Sequence, residues 1–110
     1  MARLTTELWL SAYRMRLDAA GIFSHIVHRG DGTAGDVIVK LATMNGQAVL
    51  WERGWDDHGA PGWVATLGPV AEREAEETVA RRRGRDRDLW VIEVEDPRGR
   101  HLLEDDPFRG

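Results

Sequence analysis

The chain of 110 residues contains no cysteine. This absence excludes a disulfide framework, zinc sites with cysteine ligands and thiol catalysis, and it suits a reducing cytosol. Long apolar runs are also missing: no stretch approaches the about 18 apolar residues of a membrane span, and residues 1–5 lack the apolar run of a signal peptide. We therefore expect a cytoplasmic protein without membrane contact, folded as a single domain over residues 1–110.

Lysine is nearly absent as well: the chain has one lysine, Lys40, and 14 arginines. Five of these arginines cluster near the end of the second predicted helix: Arg81, Arg82, Arg83, Arg85 and Arg87. They can contact phosphates, or they complement the negative end of the helix dipole. Because the formal net charge is -4, nucleic acid is not an expected partner. A weak nucleic-acid or anion site at this cluster stays open as an alternative.

Hydrophobic periodicity predicts an α+β domain with two helices and about five strands, in the order α-β-β-β-β-α-β. Thr5 is a candidate N-cap for a first helix over residues 6–20, and Gly68-Pro69 is the expected start of the second helix. We expect four strands in a meander, a mainly antiparallel sheet with both helices on one face, and an irregular tail over residues 97–110. The expected buried stripe of the first helix is Leu8, Ala12, Met15 and Ala19, with Trp9, Tyr13 and Ala20 beside it.

The segment Met44-Asn45-Gly46-Gln47 is the strongest hairpin signal, because both central residues of a type I′ turn adopt positive φ. With Asn45-Gly46 as a two-residue loop, Lys40 faces Trp51 across the hairpin. The same face would carry three further apolar residues, Ile38, Ala42 and Val49. A soluble monomer rarely exposes such a patch, so we expect this face to bind a protein partner or a second copy of the chain.

A glycine-rich loop over residues 30–35 lies between two predicted strands. A dinucleotide-binding fold needs such glycines before a helix, and a kinase-like loop needs a catalytic lobe for which this chain is too short. The glycines are therefore interpreted as residues that allow positive φ in a strand-to-strand connection. Backbone amides of an exposed loop can still bind an anion or a partner. The candidate binding residues are Arg29, Gly30, Asp31 and Gly35 of this loop, with Lys40 and Trp51 of the hairpin.

Glu93 and Glu95 point to the same side of the final predicted strand. Such a pair can act with a histidine as acid and base, which makes a small enzyme the alternative function. The other interpretation is a solvated or salt-bridged strand face. His25 and His28 are expected on opposite faces of their strand unless it bulges, and we predict neither a metal nor a cofactor.

Five segments carry a family resemblance: Leu4–Arg14, Ala20–Ile22, Arg29–Asp31, Ala34–Lys40 and Asp86–Asp96. Through them the chain resembles the uncharacterised bacterial family called domain of unknown function 1491. The resemblance implies no activity, because the family has no assigned catalytic residues, cofactor or substrate. From the residues, the expected role is a small protein-interaction or regulatory module without catalysis.

Overall fold

Two helices and five strands form the domain in a computed structural model that describes residues 4–104 and 106. The helices are α1 (Thr6–Ala19) and α2 (Glu72–Arg85), and the strands are β1 (Phe23–His28), β2 (Val37–Ala42), β3 (Gln47–Trp55), β4 (Pro61–Ala71) and β5 (Trp90–Glu95). The predicted class and element order are confirmed. No helix among the described residues is long and apolar enough to cross a membrane.

The strands form a single mixed sheet in the order β1-β5-β2-β3-β4. All neighbouring pairs are antiparallel except β2 and β5, which are parallel. The parallel pair arises because the chain crosses from β4 through α2 and enters the sheet between β1 and β2. The predicted four-strand meander is therefore limited to β2, β3 and β4.

The helices pack on opposite faces of the sheet, so the expectation that they share one face is wrong. The core on the α1 face consists of Trp9, Leu10, Tyr13, Leu17, Ile22, Val39, Leu41, Trp90, Ile92, Val94 and Leu103. The core on the α2 face consists of Ile38, Ala48, Leu50, Ala75, Val79, Leu89 and Val91. The physical reason lies in β2 and β5, which carry apolar side chains on both sides and so need cover on both faces.

The buried side of α1 also differs from the expected stripe. Trp9, Tyr13 and Leu17 face the sheet at helical spacing, whereas Leu8 is 54% exposed and Met15 73% exposed. The true stripe is displaced by one residue, which rotates the helix by about 100°. The capping prediction is confirmed, because the Thr5 hydroxyl accepts a hydrogen bond from the Leu8 amide at 3.2 Å. The second helix begins only at Glu72, since Gly68 and Pro69 lie within β4.

The β2–β3 hairpin is one residue out of the predicted register. Lys40 lies opposite Leu50, and Val39 lies opposite Trp51. The Thr43 amide donates to the Gln47 carbonyl at 3.2 Å, which closes a loop of three residues rather than two. Because a shift of one residue moves every side chain to the other face, Lys40 and Trp51 lie on opposite sides of the sheet.

Candidate functional site

The glycine loop, residues 30–35, packs closely against the segment that precedes β5. A Cβ atom on Gly30 would lie 2.0 Å from the carbonyl oxygen of Asp88, and one on Gly35 would lie 2.2 Å from the same atom. Neither glycine has positive φ. The conformational explanation is therefore wrong for Gly30 and Gly35, which are required because the two backbones touch.

Hydrogen bonds fix this loop internally. The Asp31 amide donates to the Asp88 carbonyl at 3.0 Å, and the Asp31 carbonyl accepts from the Trp90 indole at 2.7 Å. The amides of Ala34 and Gly35 both donate back to Asp31, at 2.9 and 3.1 Å. Three amides of the loop are therefore engaged within the protein, which weakens the case for anion binding through them.

The same loop holds the start of α1. The Thr6 amide donates to the Thr33 carbonyl at 3.1 Å, and the Glu7 amide donates to the Gly32 carbonyl at 2.9 Å. These are amides that a helix N-terminus leaves without helical partners. The loop therefore serves as a cap for α1 and as a bridge to β5.

Arg29 lies at the border of a groove between α1 and β1, with a volume of about 520 Å³. Its guanidinium lies 5.6 Å from the centre of the Trp90 ring. Two apolar side chains of the groove are open to solvent, Met15 at 73% and Phe23 at 60% exposure. The remaining lining residues are Glu7, Leu10, Ser11, Arg14, Asp18, Ile22, Ser24 and Ile26.

The groove borders an edge of the sheet, because β1 is the first strand in the sheet order. A sheet edge presents unpaired backbone groups, and natural proteins protect it with charged residues, proline or bulges. Strand β1 has a bulge between Ile26 and His28 but contains no proline, lysine, arginine or carboxylate. The opposite edge, β4, contains Pro61 and Pro69. Edge protection is therefore weaker at β1.

Lys40 is buried on the α2 face, which contradicts its predicted place on an exposed hairpin face. Its ammonium lies 2.8 Å from a Glu93 oxygen, 3.2 Å from Glu76 and 3.3 Å from Glu72. Burial acts to lower the pKa of Lys40, but the three carboxylates outweigh it and raise that pKa. The ammonium therefore stays charged and ties α2 to the sheet.

Glu93 and Glu95 lie on this face beside His25, which is opposite Glu93 in the β1–β5 ladder. Burial acts to raise the pKa of Glu93, yet Lys40 holds it below its ordinary value. Burial and the neighbouring Glu93 raise the pKa of Glu95. The salt-bridged interpretation is confirmed for Glu93. Neither the α1–β1 groove nor the second cavity described below is lined by these carboxylates.

The bulge in β1 brings His28 opposite Val91, so that His25 and His28 point to the same face. The sequence could not reveal this, although it left the possibility of a bulge open. The His28 Nδ1 atom lies 2.8 Å from the Leu89 carbonyl oxygen, so one of the two ring nitrogens already has a hydrogen-bond partner. In residues 4–104 and 106, no group of three His, Cys, Asp or Glu side chains is arranged to hold a metal ion.

Trp51 lies on the α1 face, half-buried, with its ring centre 4.3 Å from that of His101. It lines a second cavity, of about 390 Å³, formed by β3, β4 and the C-terminal segment. Beside this cavity the buried Asp106 carboxylate accepts hydrogen bonds from the indoles of Trp9 and Trp63, at 3.0 Å each. Sequence reasoning missed this cluster, because no local pattern links Asp106 to tryptophans that are far away in the chain.

Residues 4–104 match the model of a protein family of unknown function, DUF1491. The chain belongs to the DUF1491 family. The crystal structure of a DUF1491 family protein from Caulobacter crescentus CB15 is 31% identical, with a TM-score of 0.82, and the match covers 94% of this chain and 97% of that chain. An NMR structure of a DUF1491 family protein from the same organism is 30% identical over 100% of both chains, with a TM-score of 0.79.

The solution structure of Atu0922 from A. tumefaciens is also similar, with 27% identity, a TM-score of 0.72 and 86% of each chain covered. A comparison with curated proteins found no match. In this DUF1491 protein, four of the five segments that carry the resemblance meet at the glycine loop: Leu4–Arg14 at the start of α1, Arg29–Asp31 and Ala34–Lys40 of the loop itself, and Asp86–Asp96 with β5.

Proposed function

We propose that this DUF1491 protein is a protein-binding module whose docking surface is the free edge of β1 with the adjoining α1–β1 groove. The observation that carries the proposal is the combination of a weakly protected strand edge and a groove with exposed Met15 and Phe23. A partner segment in an extended conformation would add a strand beside β1 and place its side chains in the groove.

The occupant that fits best is a second copy of the same chain. Two β1 strands can pair across a two-fold axis without opposing like charges, because the strand Phe23–His28 has no lysine, arginine or carboxylate. Pairing would also cover Phe23 and Val27, which are 60% and 43% exposed. Burial of an aromatic or aliphatic side chain of this size contributes about 1.5–3 kcal/mol before the cost of association.

Concentration-dependent light scattering tests this proposal, from micromolar to millimolar protein. We expect a dimer to form, and we expect Val27→Lys to weaken it, because a lysine on the edge strand opposes its symmetry mate. Met44→Lys is the matched control: Met44 is 59% exposed in the β2–β3 loop and should leave the dimer unchanged. A monomer at every concentration, with the amide NMR signals of residues 23–28 unaffected by concentration, would overturn strand pairing between copies.

The two alternatives receive less support. For acid–base catalysis, the carboxylate of Glu93 is already held by Lys40 at 2.8 Å, and neither cavity gives a substrate access to it. For nucleic-acid binding, Arg82 is paired with Glu52 at 2.8 Å, which neutralises part of the basic cluster. Measurable affinity for nucleic acid at low salt, lost on raising the salt concentration, would favour that second alternative.

A further inference from the structure

The second cavity has walls that combine aromatic, aliphatic and charged side chains. Trp51 of β3, Trp63 of β4 and His101 of the C-terminal segment contribute their rings, and Pro61 and Leu103 add aliphatic surface. Its volume of about 390 Å³ lies within the usual range of about 300–1,000 Å³ for small-molecule sites. We call it the aromatic cavity.

The charged residues of this cavity are acidic. Asp56 and Glu104 line it, whereas no lysine or arginine does. Asp56 accepts hydrogen bonds from the amides of His58 and Ala60 through one oxygen, Oδ1, at 2.8 and 2.9 Å. Within the part of the chain that the structure describes, Asp56 forms no ion pair. The cavity therefore presents negative charge that the protein itself does not neutralise at this position.

His101 does not neutralise Glu104 at neutral pH. Its Nδ1 atom lies 3.0 Å from a Glu104 oxygen, but the same atom accepts a hydrogen bond from the Leu103 amide, also at 3.0 Å. A nitrogen that accepts a hydrogen bond carries no proton, and burial lowers the pKa of His101. Burial therefore favours the neutral imidazole, which carries no positive charge to offset the Glu104 carboxylate.

One of these rings already binds a cation within the protein. The guanidinium of Arg53 lies 5.5 Å from the centre of the Trp63 ring and 5.6 Å from that of Trp9. Tryptophan is the aromatic side chain that attracts cations most strongly, because its ring face carries negative charge density. Arg53 does not line the aromatic cavity.

We propose that the aromatic cavity binds a trimethylammonium group, presented by a small molecule or by a trimethylated lysine side chain. Its methyl groups match the apolar walls formed by Trp51 and Trp63, and its charge matches Asp56 and Glu104. Such a cation has no hydrogen-bond donors, so it enters the cavity without leaving a donor unpaired. The site is separate from the β1 edge and does not depend on the proposed dimer.

Titration with choline and with trimethyllysine amide, followed by the indole N–H signals of Trp51 and Trp63 in NMR spectra, tests this site. The probe 3,3-dimethylbutan-1-ol has the shape of choline without its charge. We expect both cations to shift these signals and the alcohol to have little effect. Tighter binding of trimethyllysine amide than of choline would indicate a modified protein as the source, and the reverse would indicate a small molecule.

Two conservative variants test the role of charge without disturbing the walls. Asp56→Asn and Glu104→Gln should each weaken choline binding about fivefold, the effect of one charge at a distance of several ångströms in a solvated site. The matched controls are Asp57→Asn and Trp55→Ala, which alter a neighbouring carboxylate and an exposed tryptophan outside the cavity lining. Both controls should bind choline as the unaltered protein does.

Three results would overturn the proposal. In the first, neither cation shifts the indole signals at tens of millimolar. In the second, choline and the neutral alcohol bind equally well. In the third, the control variants lose as much affinity for choline as Asp56→Asn and Glu104→Gln do. The measurements remain informative if a variant is destabilised, because the comparison of choline with its neutral analogue uses the unaltered protein.

Discussion

The two faces of the sheet are stabilised by different forces. On the α1 face, large side chains such as Trp9 and Tyr13 are buried, and the Trp9 indole donates a hydrogen bond to the Asp106 carboxylate. The Tyr13 hydroxyl, for example, donates to the His101 carbonyl at 2.7 Å. On the α2 face, the helix buries only Ala75 and Val79 and is tied to the sheet by Lys40. The first face depends mainly on buried area, and the second depends mainly on charge.

This difference matters because buried apolar area responds little to pH and to electrostatic screening by salt, whereas ion pairs respond to both. The α1 face is further closed by the glycine loop and by the C-terminal segment, which places Leu103 in the core. We therefore expect α1 to remain docked under conditions that release α2. Four comparisons between variants would break or sharpen this contrast.

The largest effect is expected at the glycine loop that caps α1. In Gly35→Ala, the new Cβ atom would overlap the Asp88 carbonyl oxygen, so the loop must leave β5 and release the start of α1. We expect a loss of more than about 4 kcal/mol in the free energy of unfolding. The matched control on the other side is Gly84→Ala in α2, where a Cβ meets nothing within 4 Å. That change should stabilise the protein by about 0.5–1 kcal/mol.

Urea unfolding followed by circular dichroism measures both variants. If Gly35→Ala unfolds at the same urea concentration as the unaltered protein, the loop is not the rigid junction that its contacts indicate.

The next effect is expected in the α1 core. Leu17 is fully buried, and Leu17→Ala should lower the free energy of unfolding by about 3 kcal/mol through lost burial and an added cavity. The corresponding change on the other face, Val79→Ala, removes less area and should cost about 1.5 kcal/mol. Equal losses in the same urea experiment would mean that the two faces contribute similar apolar burial, which contradicts the contrast.

A smaller effect is expected when the charge of the α2 face is removed. Lys40→Met leaves Glu93, whose side chain is only 15% exposed, without its cation. We expect a loss of about 2–3 kcal/mol, below the upper range for buried pairs because Glu72 and Glu76 remain open to water. Replacing Glu93 by leucine in the same variant should restore most of this loss.

The control for this prediction is the exposed pair of Arg73 and Glu77 on the same helix, at 3.5 Å. Arg73→Met should change the free energy of unfolding by less than about 0.5 kcal/mol. A similar change in both variants would show that the Lys40 cluster behaves as an ordinary surface ion pair.

The sequence predicted the element order well because helices and strands follow local periodicity. It did not predict that β5 lies between β1 and β2, since this depends on where a crossover through α2 returns to the sheet. The register predicted from the sequence for the β2–β3 hairpin was also wrong by one residue. The Asn45 side chain accepts from the Thr43 hydroxyl at 2.6 Å and from the Gln47 amide at 3.2 Å, and these bonds stabilise a three-residue loop.

The error in the predicted register of the β2–β3 hairpin led to a wrong prediction of which residues share a binding surface. A slip of one residue placed Lys40 and Trp51 on a common exposed face, whereas Lys40 is buried among carboxylates and Trp51 lines the aromatic cavity. The sequence correctly indicated that the loop requires glycines. The requirement arises from a close contact with Asp88, which is distant in the chain. Whether any of the candidate residues binds a ligand stays a prediction.

The smallest expected effects, of opposite sign, come from the two carboxylates of β5. The pKa of Glu93 in the folded state is lowered, so its ionised form stabilises the fold above the unfolded pKa and this contribution is lost as pH falls. The pKa of Glu95 is raised by burial and by Glu93, so its stabilising contribution exists at low pH and is lost as pH rises.

Near neutral pH, Glu95→Gln should therefore raise the free energy of unfolding by about 0.5 kcal/mol, while Glu93→Gln should lower it. Well below the ordinary carboxylate pKa of about 4.3, the effect of Glu95→Gln should vanish and that of Glu93→Gln should shrink. Urea unfolding at these two pH values measures both.

The same pH change should leave the loss of unfolding free energy caused by Leu17→Ala unaltered, because that residue belongs to the face that depends on buried area. If the loss in Leu17→Ala varies with pH as strongly as the effect of Glu93→Gln, the two faces do not differ in kind.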